Sequence, residues 1–180
     1  MTSFLDLVKN RQSVRSYLDK PVEEEKLQRI LEAARLAPSA CNAQPWKLIV
    51  VDDYEKRMAI AEASSSRILP INHFVRQAPI QIVIVEEREN FIAKLGGYAR
   101  NKHYPPIDIG IVAAHICLAA TDEGLGSCII GWHDEKKIKK ILEIPNSKRI
   151  MVIVLLGYSD QPLRPKRRKS LSELVSYNKY

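Results

Sequence analysis

Apolar residues recur along the chain at two different intervals, and the interval identifies the element. Phe4, Leu5 and Val8 mark a short amphipathic helix at the start. Leu27, Ile30, Leu31 and Ala34 fall three and four apart, which places them on one face of a second helix. Pro21 followed by Glu23, Glu24 and Glu25 opens that helix, with carboxylates at the positive end of its dipole. Pro38 stops it at or before Ala37, because a proline disfavours the α conformation in the residue ahead of it. Residues 38–45 are then a loop bounded by two prolines, and 47–51 is a buried strand. A helix over 54–63 and a strand over 80–85 follow. The apolar run at 107–120 predicts a core helix reaching Glu123 and stopping at Gly124, since glycine accepts a left-handed backbone. Residues 127–130 form a short strand, Asp134 caps a helix carrying Ile138, Ile141 and Leu142, and 150–156 is the most apolar strand. After Gly157 the pattern vanishes: 161–169 is basic, contains prolines and has no apolar face, and a short amphipathic end follows at 171–175. Helices and strands alternate irregularly, which predicts a mixed α and β domain with an extended C-terminal arm.

Length adds that 180 residues suit one domain over 1–180, with 160–180 as the arm. Hydrophobic content of 46% with 27% charged residues is that of a globular chain and argues against disorder. The run at 107–120 is too short to span a bilayer and is interrupted by Asp108 and His115, so no membrane association is expected. The N-terminus lacks a basic segment followed by an apolar one, so no signal peptide is read. Cys41, Cys117 and Cys128 are odd in number and contain no C-x-x-C pair. They argue against a disulfide framework or a structural zinc, and for a reducing, cytoplasmic setting. His73, His103, His115 and His133 show no metal-ligand spacing, so no metal is expected; His115 and the latter two cysteines read as core. The formal charge of +7 points to an anionic ligand. Nucleic acid is a poor candidate, because no recognition helix or aromatic platform accompanies the charge.

Arg11-Gln12-Ser13-Val14-Arg15 is the first candidate for that ligand. If the segment is extended, Arg11, Ser13 and Arg15 share one face, offering two guanidinium forks and a hydroxyl to a phosphate. Alone, such a pattern reads first as a solvated basic turn. It does not stand alone. Arg11-Gln12-Ser13-Val14-Arg15-Ser16-Tyr17 is followed by a helix and then by Ala37-Pro38-Ser39-Ala40-Cys41-Asn42-Ala43-Gln44-Pro45-Trp46 leading into a strand. Asp108-Ile109-Gly110, Gly124-Leu125-Gly126-Ser127-Cys128, Ile144-Pro145, Leu155-Leu156-Gly157-Tyr158 and Lys166-Arg167-Arg168-Lys169-Ser170-Leu171 continue the series. In order, spacing and residue type the chain resembles the nitroreductase family of FMN-dependent NAD(P)H oxidoreductases over nearly its whole length.

The resemblance implies an α+β fold with a central, mostly antiparallel sheet flanked by helices, and a C-terminal arm exchanged across a homodimer. It implies an enzyme in which FMN passes hydride from NADH or NADPH to a small acceptor such as a nitroaromatic or quinone, by a ping-pong course and with no residue acting as general acid. Carried over by position, Arg11 and Ser13 hold the FMN phosphate and ribityl chain, with Gln12 contributing through its backbone. Arg15 approaches the pyrimidine edge, where a cation raises the potential of a flavin that becomes negative on reduction. The loop of Pro38, Ser39, Ala40, Cys41 and Asn42 comes from the partner subunit, with Ser39 and Asn42 as polar contacts; Gln44 touches the ring edge or fixes the loop. Ile130 and Gly131 cover one ring face and donate a backbone N–H near N5, and Lys166 and Arg168 return to the phosphate. Ser39 read without the family simply ends a helix, Trp46 is core, and Cys41 is a small loop residue rather than a redox thiol. The segment 64–106 lacks the extra helices of larger members; Arg67 and Asn72 are possible ligands there, and Phe74, Tyr98 and Tyr104 could line the open flavin face. Rival readings are a non-catalytic flavin-binding or sensory protein, and other flavin chemistry on the same fold, reductive dehalogenation or flavin fragmentation.

Overall fold

A computed structural model describes residues 3–66, 71–87 and 103–180. Arg67 and Tyr98 lie outside the described residues. The helices are α1 (Phe4–Asn10), α2 (Glu24–Arg35), α3 (Tyr54–Ser64), α4 (Pro105–Asp122), α5 (Glu135–Ile141) and α6 (Leu171–Leu174); the strands are β1 (Trp46–Val51), β2 (Ile80–Glu86), β3 (Gly126–Ile130) and β4 (Arg149–Gly157). Single-turn 3-10 helices at Ala40–Asn42 and His73–Gln77 complete the set among the described residues.

The four strands form one sheet in the order β1-β2-β4-β3, antiparallel at every step. The fold is therefore α+β. Strand alternation sends Val83, Val85, Ile153 and Leu155 to one face, where they meet Ile60 of α3 and Ile138 of α5. Ile82, Ile84, Val154 and Leu156 go to the other, against Ile30 and Ala34 of α2 and Val112 and Ile116 of α4. Covered on both sides, β2 and β4 read as continuous apolar runs rather than alternating ones.

Element ends follow local chemistry. Asp53 and Asp134 each accept the amide three residues on, capping α3 and α5. Helix α2 ends at Arg35, before Pro38. Helix α4 starts at Pro105, two residues earlier than the apolar run predicts, because proline is accommodated in a first turn where no amide is needed. It ends at Asp122, and Gly124, just past its C-cap Glu123, has the φ of +73° of the left-handed stop expected there. Helix α1 forms with Ser3 as its cap, yet it buries none of its residues: Phe4 and Leu5 stay about two-thirds exposed. Among the described residues no helix is long and apolar enough to cross a membrane.

The segment after α1 is extended and joins the sheet. Ser13 forms a parallel bridge with Ser127, and the Val14 amide donates to the Ser127 carbonyl at 2.9 Å. Val14 and Tyr17 are buried, and the Tyr17 hydroxyl donates back to the Val14 carbonyl. Gly126 makes this approach possible, since a Cβ there would lie 2.7 Å from Val14 Cγ2.

Candidate functional site

Burying Val14 fixes the parity of its neighbours. Ser13 and Arg15 are left facing away from the core, beside β3. Along this segment the chain's own tail is laid down by hydrogen bonds to backbone groups. Gln161 Oε1 accepts the Arg15 amide at 2.8 Å, the Arg164 guanidinium donates to the Ser13 carbonyl at 2.5 Å, and Lys166 Nζ donates to the Arg11 carbonyl. Gln12 binds from the other side: its Nε2 donates to the Pro162 carbonyl at 3.2 Å, and its Oε1 accepts the Arg164 amide at 3.2 Å. The Gln12 side chain thus acts as a staple for the tail, a contact outside the backbone role that the family resemblance implies for it.

Between segment and tail lies a groove of about 490 Å³, lined by Arg11, Gln12, Ser13, Arg15 and the five residues from Arg164 to Arg168. Arg11, Arg15, Arg164, Lys166, Arg167 and Arg168 are cationic, and no carboxylate is among the lining residues. The crowding is visible in Lys166, whose ammonium is pushed below the usual lysine range, first by desolvation and then by Arg11, Arg168 and Arg164. An anion in the groove would reverse that. The groove backs onto a buried thiol: Cys128 is pushed up by burial, with Arg15 and then Arg164 pulling it back down.

The loop at 38–44 is built differently. Cys41, Asn42 and Gln44 have φ of 51°, 50° and 46°, left-handed backbone that side chains with a Cβ rarely adopt. Ser39 Oγ accepts the Gln44 amide at 2.9 Å, and Gln44 Nε2 donates to Asn42 Oδ1 at 2.8 Å, so Gln44 fixes the loop from inside. A tie also reaches outward: the Ala40 amide donates to Asp108 Oδ1 at 3.1 Å. Pro38, Asn42 and Gln44 are exposed, Ser39 and Ala40 half-buried, and none of them lines the basic groove of its own chain.

The remaining candidates divide. Lys166 and Arg168 line the groove, together with Arg164 and Arg167 of the same basic run. The Ile130 side chain is in the core, so only its backbone is presented; Ile129, 45% exposed, is the outward neighbour that strand alternation identifies. A Cβ at Gly131 would meet nothing within 4 Å. Asn72 is tied to the Ser64 and Trp132 carbonyls, Phe74 packs against the core, and Tyr104 is the N-cap of α4. His115 is half-buried, with Nδ1 2.9 Å from the Ile111 carbonyl, and Cys117 and Cys128 are buried. Gln161 and Asp108, both with defined partners here, had no role assigned from sequence.

Comparison with known proteins bears on this arrangement. The sequence pattern of the nitroreductase family matches residues 8–158. An NADH dehydrogenase of Thermus thermophilus is 29% identical over 191 residues, covering 92% of this chain and 91% of its own. An oxygen-insensitive NADPH nitroreductase of Helicobacter pylori is 28% identical over 177 residues, covering 84% of each. Among solved structures, an FMN-dependent nitroreductase of Clostridium difficile superposes with a TM-score of 0.76 at 32% identity, covering 98% of this chain and 100% of that one.

Proposed function

The chain belongs to the nitroreductase family, and from that premise we propose that it is an FMN-dependent oxidoreductase, acting from NADH or NADPH onto a small acceptor of the nitroaromatic or quinone class. The observation that carries the reading is the groove of six cationic side chains without a carboxylate. A phosphate dianion is the group such a lining fits, and it would offset the desolvation and arginine repulsion that lower the Lys166 ammonium. FMN, when bound, supplies the two-electron chemistry that joins reductant to acceptor.

Every other part of the work falls to the chain's own residues. Arg11, Ser13, Lys166 and Arg168 bind the phosphate and ribityl end. Gln12 holds the tail that brings the last two into place. Arg15, on the same face as Ser13, sets a fixed cation toward the pyrimidine edge, where it favours the negative, reduced ring. Ser39 and Asn42 present polar groups from the partner's copy of the loop, with Pro38, Ala40 and Gln44 holding its shape. Ile130 and Gly131 would hold the ring through their backbone, and the missing side chain at Gly131 would leave room for a flat group. Reductant and acceptor take turns on one open face, which gives a ping-pong course.

A homodimer completes the reading. Residues 162–180 are exposed throughout, including Leu163, Leu171, Leu174 and Tyr177, and α1 leaves Phe4 and Leu5 uncovered. A second copy offers each of these surfaces the other, with residues 1–180 as one domain and 160–180 as the exchanged arm. Three cysteines without a disulfide suit a cytoplasmic setting. The test is steady-state oxidation of NADH and NADPH by the FMN-loaded protein with a quinone acceptor. Turnover is expected; tight FMN without turnover overturns the enzyme in favour of a flavin-binding protein.

A further inference from the structure

Asp108 lies in the first turn of α4 and is 3% exposed. An acidic residue there ordinarily caps or neutralises the helix start. This helix start needs no cap. Pro105 and Pro106 have no amide hydrogen, and the amides of Ile107 and Asp108 both donate to the Tyr104 carbonyl, at 2.9 and 3.1 Å. The carboxylate reaches instead across the fold to the Ala40 amide, 68 positions away in sequence.

Ala40 is where the unusual backbone begins. The 3-10 turn Ala40–Asn42 and the residues after it hold three left-handed conformations at side chains with a Cβ, which persist only when the surroundings over-determine them. Ser39 and Gln44 set the loop's internal shape. Asp108 sets where that shape sits relative to α4. Its second oxygen, Oδ2, is buried and meets no donor among the described residues. A buried carboxylate with half its acceptors unmet is a poor device for stability alone.

We propose that Asp108 is a positioning residue that fixes the loop at 39–44 in its ligand-binding placement through the Ala40 amide. The inference rests on reading that loop as part of an FMN site, and the two are tested separately. Amide exchange at residues 40–44 is measured in the full-length protein carrying Asp108→Ala or Asp108→Asn, followed by FMN titration of each. Asp108→Ala speeds Ala40 exchange about tenfold and raises the Kd for FMN about tenfold, the scale of one lost hydrogen bond to a charged acceptor. Asp108→Asn keeps an oxygen at the Oδ1 position and stays within about threefold of wild type in both, since the acceptor is retained. Should the alanine variant fail to fold, Asp108→Ser, too short to reach Ala40, replaces it. Unchanged Ala40 exchange overturns the tether. Faster exchange with an unchanged Kd, or equal impairment of the alanine and asparagine variants, overturns the positioning role. A wild-type protein that takes up no FMN overturns the site reading instead, while the exchange result still decides the tether.

Discussion

Lys166 sits among three arginines, and desolvation first and then those charges lower its hold on its proton, so that proton is a sensitive reporter of what enters the groove. Its affinity for a proton is depressed in the free protein and rises when a phosphate arrives. Between those two values binding takes up a proton, so FMN affinity should fall as pH rises through the alkaline range below the ordinary lysine value. An isothermal titration series in two buffers of different ionisation enthalpy reads this directly; an affinity independent of pH up to that range contradicts it. The arginines divide the labour differently. Arg11→Ala or Arg168→Ala should raise the Kd for FMN by about 10–100-fold, the scale of a lost charge-assisted hydrogen bond. Arg15→Ala should leave retention closer to wild type and lower the two-electron potential, by about 30 mV for each tenfold loss of preference for the reduced ring. Spectroelectrochemistry showing an unchanged potential would remove that role from Arg15.

Between elements, the close contact that seats the basic segment beside the sheet is Val14 on Gly126. A methyl group at position 126 meets Val14 at 2.7 Å, and both neighbours are pinned by the Ser13–Ser127 bridge. Gly126→Ala should therefore destabilise by about 1–3 kcal/mol, as overpacked cores do, lowering Tm by roughly 3–10 °C at this chain length. An unchanged melting curve would show that the bridge relaxes freely. The same junction shows how far the sequence could be read. The helices and strands were legible because apolar spacing and proline or glycine stops act locally, and the two basic segments were legible as a pattern. What joins them was not. That Gln12 grips 161–164 with its side chain depends on two stretches about 150 residues apart meeting in space. The exposure of α1 and the burial of the Ile130 side chain are likewise set by what packs on each face, which spacing along the chain does not contain. Asp108 illustrates the same limit, since only the fold shows that the helix it opens has no amide left to cap.

Taken whole, the chain is a two-faced sheet with a groove of positive charge at one edge and an uncovered apolar tail beyond it. The tail is held by its own chain as far as Lys166 and thereafter has no cover among the described residues. Sedimentation equilibrium should give twice 20.5 kDa, and truncation after residue 170 should shift it towards the monomer; a monomeric full-length protein would contradict the exchanged arm. The net charge of +7 should make reaction with anionic nicotinamides slow as ionic strength rises. The central claim is the flavin itself. It is tested most directly by the visible spectrum of the purified, FMN-loaded protein during anaerobic titration with NADH and then NADPH. A yellow protein bleached by one or both is the predicted result, and a colourless protein that cannot be loaded with FMN would contradict the account.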